Sequence, residues 1–348
     1  MADRDGNGWI RCAQGHRHWG RFGAAGLLAY VPAPGGSATG GAAGDVAVLL
    51  QRRSSWSHHP GTWGPPGGAM DSHESAVSAA LREAAEECDV PAAGVSVGGI
   101  WLDDHGGWSY QTVIGAARRP FPVRSASDET SEVGWIRADD VGQLNLHPGF
   151  AGQWPSLRAR LAPLTVIVDV ANVMGSRADG WWRDRAAAAV RLHGELTALA
   201  ARGVTALPVS MPGPALERWF PGFVLVLEGA ARAALRDLPA QPGDLPGPSP
   251  GGLPPGGPSP AGPSPGGLPP GGPSPAGPSP GGLPPGGLPD AGRVWVVAAA
   301  GSGDDLIADL AARLAGQRLV VTADRELRDR CMAVGAAVTG PRWLLGML

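Results

Sequence analysis

Three glutamates in the stretch "LREAAEECDV", residues 81–90, stand where a helix would set them side by side: Glu83, Glu86 and Glu87, at i, i+3 and i+4. On a solvated helix this spacing is unfavourable, because Glu83 repels Glu87 and acidic groups near a helix C-terminus oppose the dipole, each by roughly 0.3–1 kcal/mol. A divalent cation reverses the sign. Three carboxylates on one face make an all-oxygen, high-charge site suited to Mg2+ or Mn2+, and an ion held there can neutralise phosphate oxygens and activate water. The competing reading is a charged face that keeps the helix soluble.

The register extends upstream. In "GGAMDSHESAVSAALREAAEECDV", residues 67–90, Gly68 is followed after five residues by Glu74, and Glu74 after seven residues by Arg82 and Glu83, with Glu86 and Glu87 closing the run. This pattern resembles the Nudix box of the Nudix hydrolases, MutT-like members included, and "WGPPGG" before it and "LHPGF" at 146–150 are similar to segments of that family. The resemblance spans roughly residues 20–160 and implies a Nudix α/β/α sandwich. It also implies that Glu83, Glu86 and Glu87 bind Mg2+ or Mn2+, that Arg82 pairs with Glu74, and that a nucleoside diphosphate-linked substrate is hydrolysed. An oxidised purine nucleoside triphosphate is the first expectation for that substrate, ahead of a nucleoside diphosphate sugar or ADP-ribose. Gly68, Trp101 and Tyr110 are the expected substrate contacts, with Asp103, Asp104, Trp108, Glu129 and Glu132 in or near the same strands. Asp89 departs from the family, which usually has Gly after the acidic pair; a left-handed residue there costs Asp on the order of 1 kcal/mol. A rival reading is a nucleotide sensor that binds without cleaving.

A second acidic set lies downstream. Asp169 ends the apolar run "LTVIVD", Asn172 follows by three residues, Asp304 and Asp305 open "GDDLIADL", and Asp324 follows "VVTA". Each falls where a strand ends and a helix begins. The segments "VDVANVMGSR", "GSGDDLI" and "VTADRELRDR" resemble the NYN branch of the PIN-like nucleases. That resemblance implies a metal site of Asp169, Asp304 or Asp305, and Asp324, with Asn172 supporting the first, Glu228 completing the set, and nearby arginines meeting RNA phosphates. Helix capping by Asp304 and Asp305 is the structural alternative.

The elements that must position these groups divide the chain. Over residues 1–163, short apolar runs surround one strong helix at 73–88, a mixed α/β pattern. From 164 to 348, strand, acidic turn and helix recur, as in a Rossmann-like parallel sheet whose sites form at the carboxyl ends of the strands. Within the second segment, residues 240–290 are low in complexity, and Leu245 to Pro289 contain only Leu, Pro, Gly, Ser and Ala, with "GPSPGGLPPGGPSPA" repeating at a period of 15. Proline removes backbone donors and no face is apolar, so this insertion is expected to be disordered.

A net charge of -3 across 348 residues excludes a polycation built to coat nucleic acid, though a local basic patch remains possible. There is no apolar leader at the N-terminus and no run of 18 apolar residues, so a cytoplasmic protein with no membrane contact is expected. Three scattered cysteines cannot form a disulfide framework. In "CAQGHRHW", Cys12, His16 and His18 are one ligand short of a structural zinc site, and packing against the first strand is the expectation.

Overall fold

The computed structural model describes residues 4–32, 46–117, 120–211, 213–239 and 294–348; the Pro/Gly repeat expected to be disordered lies outside the described residues. A hairpin of β1 (Trp9–Arg11) and β2 (Arg17–Trp19) precedes β3 (Ala24–Pro32), β4 (Val46–Arg53), β5 (Trp63–Gly64) and β6 (Gly67–Ala69). Helix α1 (Ala76–Cys88) leads to β7 (Val95–Asp104), β8 (Ser109–Ala117), β9 (Thr130–Arg137) and α2 (Pro148–Arg158). These strands form a mixed sheet in which β3 runs parallel to β8 and antiparallel to β4 and β6, while β9 pairs with β4.

Alternation along β3 sorts its side chains to two faces, as a pleated strand requires. Ala25, Leu27 and Ala29 join Val77, Ala80, Leu81 and Ala84 of α1 in one core cluster. Leu28 and Tyr30 join Phe150, Trp154 and Leu157 of α2 in another. The sheet is thus covered by a helix on each side.

The chain then enters a second sheet. Strand β10 (Leu164–Asp169) leads to α3 (Val170–Gly175), α4 (Arg185–Arg202), the short β11 (Arg218–Trp219) and β12 (Gly222–Leu227). A 3-10 segment, Gly229–Arg236, stands where the pattern suggested a helix after β12. The rest comprises β13 (Val294–Ala298), α5 (Gly303–Arg313), β14 (Gln317–Val321), α6 (Arg325–Ala333), β15 (Ala337–Thr339) and α7 (Pro341–Leu345). Five strands are parallel in the order β13-β12-β10-β14-β15. Both faces are covered: Val166 and Val168 point into one cluster with α4, and Ile167 into another with Ile307 and Leu310 of α5.

The change of sheet near residue 163 is not a break in packing. Leu28 and Leu50 of the first sheet belong to the same buried cluster as Val166, Leu192 and Phe223 of the second. Strand β11 crosses back and pairs antiparallel with β7 through Arg218–Ile100 and Trp219–Gly99. Among the described residues, no helix is long and apolar enough to cross a membrane.

Candidate active site

Helix α1 is started by a reciprocal cap: Ser78 N donates to Ser75 Oγ at 3.1 Å, and Ser75 N donates to Ser78 Oγ at 2.9 Å. It is ended by Asp89, whose φ of 58° is left-handed, and whose carboxylate accepts from Arg124 Nε at 2.8 Å. Asp therefore takes up the conformation expected of the family's glycine. The buried alanines of α1 face the sheet and leave Arg82, Glu83 and Glu86 partly or fully accessible, while Glu87 is buried.

Arg82 organises the acidic groups. Its Nε and Nη2 donate to the two oxygens of Glu74 at 2.7 and 2.8 Å, its Nη1 donates to Glu83 at 2.6 Å, and Nη1 stands 3.5 Å from Glu86. Asp71 N donates to Glu74 as well, at 3.0 Å. Burial alone would raise the Glu74 carboxyl, but the Arg82 guanidinium and the Asp71 amide hold it below the usual carboxylate range. Arg4 pairs with Glu86 at 2.5 Å. Residue 68 being glycine lets the Glu83 carboxylate keep this position: a Cβ there would stand 2.7 Å from it and push the side chain aside. Burial pushes the Glu83 carboxyl up, against the pull of Arg82.

Glu87 is fixed from the sheet side. Gln51 Nε2 of β4 and Gly67 N both donate to its Oε2 at 2.8 Å. Gln51 is itself held, accepting at Oε1 from Thr130 Oγ1 and from Cys88 Sγ. Burial first, with the nearby Glu83 charge, raises Glu87 to about 7. A buried carboxylate raised by desolvation and by its neighbour's charge marks a place where a cation is electrostatically favoured. The donor set is all oxygen, so the box residues fit a hard divalent ion.

Gln51 and Gly67 also line a cavity of about 600 Å³, within the range of small-molecule sites. Tyr110, Trp108, Thr112, Phe150 and Gln153 contribute to its wall, together with six of the chain's eight histidines: His16, His18, His58, His59, His105 and His147. Burial, then Glu87, raises the Tyr110 phenol well above its ordinary value. Burial and the adjacent His59 lower His147 to about 4, so its imidazole is neutral at pH 7.

Trp101, expected at the substrate, is not among the residues lining this cavity; it lies opposite Thr112 in the β7–β8 pairing and packs against the core. Trp101 shares the sheet face of Asp103, Thr112 and Tyr110, but it lies farther along the strands, where that face packs against the α2-side core. Gln51, His105 and His147 were not singled out from the sequence as site residues. The available signal for Gln51 was a polar side chain closing the apolar run "VAVLL"; for His147 it was its place in "LHPGF", and for His105 the number of histidines alone.

The second acidic set gathers at the carboxyl edge of the parallel sheet, where β10 and β14 diverge to neighbours on opposite sides. Asp169 is buried and accepts from Asn172 N at 3.0 Å, Asn172 Nδ2 at 2.6 Å and Thr322 Oγ1 at 2.7 Å. Burial raises its carboxyl, opposed by these bonds and reinforced by Glu228. Glu228 accepts from Gly303 N at 3.0 Å, and Asp324 caps α6 by accepting from Leu327 N at 2.7 Å. Burial and the charges of Asp169, Asp324 and Glu228 raise Asp304. Asp305 is turned elsewhere: its exposed carboxylate pairs with Arg330 at 2.7 Å. The structure therefore groups Asp169, Glu228, Asp304 and Asp324, and leaves Asp305 out, because adjacent helix residues point about 100° apart.

The NUDIX domain profile matches residues 38–159. A putative 8-oxo-dGTP diphosphatase 3 of Mycobacterium tuberculosis is 41% identical over 170 residues, which cover 47% of this chain and 72% of that protein. A nucleoside triphosphate pyrophosphatase/Nudix hydrolase fusion protein of Bifidobacterium longum is 38% identical over 162 residues, 46% of this chain and 32% of the fusion. Among solved structures, a Nudix hydrolase of M. smegmatis, RenU, is 42% identical and covers 44% of this chain and 94% of that one, with a TM-score of 0.41. With most of the mycobacterial relative matched at that identity, and the box residues assembled around Arg82, the chain belongs to the Nudix family.

Proposed function

We propose that the first sheet and α1 form a divalent-metal-dependent pyrophosphohydrolase acting on a nucleoside diphosphate-linked substrate, with an oxidised purine nucleoside triphosphate as the leading candidate. The observation that carries this reading is the shared wall: Gln51 and Gly67, which hold Glu87, also line the 600 Å³ cavity, so a ligand there lies beside the box carboxylates. A relative named as a putative 8-oxo-dGTP diphosphatase supports the choice of base. Glu83, Glu86 and Glu87 would hold Mg2+ or Mn2+. When bound, such an ion neutralises phosphate oxygens and lowers the pKa of bound water. Arg82 keeps Glu74 and Glu83 in orientation, Gly68 lets Glu83 approach the backbone, and Gln51 with Gly67 N fixes which oxygen of Glu87 stays hydrogen-bonded. Tyr110, half-buried with its phenol held neutral, and the flat Trp108 ring suit a purine. Three buried free cysteines agree with work in a reducing cytoplasm.

Release of phosphate products from a nucleotide panel with Mg2+, comparing the wild type with Glu86→Gln, tests this. The wild type turns over at least one member and the variant loses about a hundredfold or more, the scale of a removed charge-stabilising group. Binding without turnover by the wild type would instead make the domain a nucleotide sensor.

For the second sheet we propose a metal-dependent ribonuclease of the PIN-like kind, favoured by Asp169, Glu228, Asp304 and Asp324 meeting at one sheet edge. Single-stranded RNA with Mn2+, cut by the wild type and spared by Asp169→Asn, is the expected result. Equal cutting by both removes Asp169 from the site.

A further inference from the structure

Three candidate ligands in "CAQGHRHW" are too few for a closed zinc site, and the fold supplies a fourth. Cys12 and His16 stand in the loop between β1 and β2, His18 in β2, and His105 in the turn between β7 and β8. Their ligating atoms all lie within 4.8 Å of one another. The loop is closed by Cys12 N donating to His16 O and Gly15 N donating to Cys12 O, both at 3.0 Å, and Ala13 N ties it to Gly106 O at 2.7 Å.

Two further observations point to a ligand. His18 Nε2 and His105 Nδ1 are buried atoms with no hydrogen-bond partner, and a buried polar atom left so is costly unless something fills the gap. The other nitrogen of His105, Nε2, stands 3.1 Å from Asp103 Oδ2, and Asp103 is held by Gln153 Nε2 at 2.7 Å. A carboxylate on one imidazole nitrogen that leaves the other bare is the arrangement found behind metal-bound histidines. His18 is held flat against Trp108, 3.9 Å apart and 11° from parallel.

We propose that Cys12, His16, His18 and His105 bind one zinc-class transition-metal ion, which fastens the β1–β2 hairpin to the β7–β8 turn and so builds one wall of the cavity. One sulfur and three imidazoles select Zn2+ over Mg2+, unlike the all-oxygen box carboxylates. Four protein donors leave no open position, so the ion is structural. Tetrahedral bonds of about 2.1 and 2.3 Å set donors roughly 3.3–3.6 Å apart, so the set closes in by about 1 Å on binding. The exposed His16 has the freedom to do this. His58, His59 and His147 form another cluster of ligating atoms within 4.8 Å, but with no thiolate and no buried unpartnered nitrogen.

The test uses the untagged full-length protein, stripped and then reloaded with Zn2+ or Co2+. About one zinc ion per chain survives gel filtration, and Co2+ gives the intense visible bands of a tetrahedral site with a thiolate charge-transfer band. Cys12→Ser abolishes that band, Cys12→Ser and His105→Asn each weaken binding at least tenfold, and Glu86→Gln and His147→Asn leave it intact. Wild-type protein that retains no zinc, a weak octahedral cobalt spectrum, or zinc that persists in Cys12→Ser and leaves with His147→Asn would each overturn the proposal. Should a variant fail to fold, the wild-type cobalt spectrum decides alone.

Discussion

Glu87 converts the geometry of α1 into a measurable pH dependence. Its carboxyl is raised from an ordinary 4.5 to about 7, first by burial and then by the Glu83 charge. Between those values the folded, metal-free protein binds more protons than the unfolded chain, so stability falls as pH rises. The contribution of protonated Glu87 is complete below 4.5 and is lost as pH climbs through about 7. At about 1.4 kcal/mol per tenfold change in proton affinity, the full effect is roughly 3 kcal/mol. Glu87→Gln keeps an oxygen to accept from Gly67 N and Gln51 Nε2 but cannot ionise. Urea midpoints followed by tryptophan fluorescence on EDTA-treated protein, from about pH 5 to about pH 8, compare the two, and their difference cancels the titrating groups that do not interact with Glu87. The wild type should weaken relative to the variant by roughly 2–3 kcal/mol across that span. Adding Mg2+ at the upper end should stabilise the wild type more than the variant, because the variant lacks one of the three carboxylates proposed to hold the ion. A difference curve flat to within about 0.5 kcal/mol would refute the reasoning, since it would mean that burial places no charge penalty on Glu87.

Other expectations follow from the same contacts. Gly68→Ala puts a Cβ 2.7 Å from the Glu83 carboxylate, which must swing aside, so nucleotide hydrolysis should fall at least tenfold while the thermal midpoint drops by the equivalent of about 1 kcal/mol or less. Asp89→Gly relieves a left-handed Asp at φ 58° and loses only an exposed pair with Arg124, so chemical denaturation should show a gain of up to about 1 kcal/mol. His147 is depressed from 6.5 to about 4; its imidazole NMR shifts should stay constant as pH falls from 6.5 and change only as pH nears 4. In RNA cleavage assays Asp304→Asn should cost far more than Asp305→Asn, because Asp304 feels the charges of Asp169, Asp324 and Glu228 while Asp305 pairs with Arg330.

Much was legible in the linear chain because it depends on short-range periodicity. The box spacing puts Glu83, Glu86 and Glu87 on one turn of one helix wherever that helix sits, and Asp89 ends it in the left-handed region as its position after the acidic pair requires. The apolar runs that became β10, β12, β13 and β14 carry buried parallel strands in their composition, and the acidic residues at their ends fall at a sheet edge by topology alone. What the chain could not express was which distant elements meet. Gln51 reaches Glu87 across 36 positions, and His105 reaches Cys12 and His18 only because the β7–β8 turn folds against the β1–β2 hairpin. Trp101 and Tyr110 lie on one sheet face and were equal candidates for the cavity until the packing around them set one against the core and the other in the wall. Asp304 and Asp305 were likewise interchangeable until the helix turned one toward the sheet edge and the other to Arg330. Sequence determined the helix that carries the carboxylates, since neighbours along a chain interact at fixed spacing; tertiary structure decided the cavity beside it and the histidine cluster in its wall, since those contacts join residues far apart in the chain.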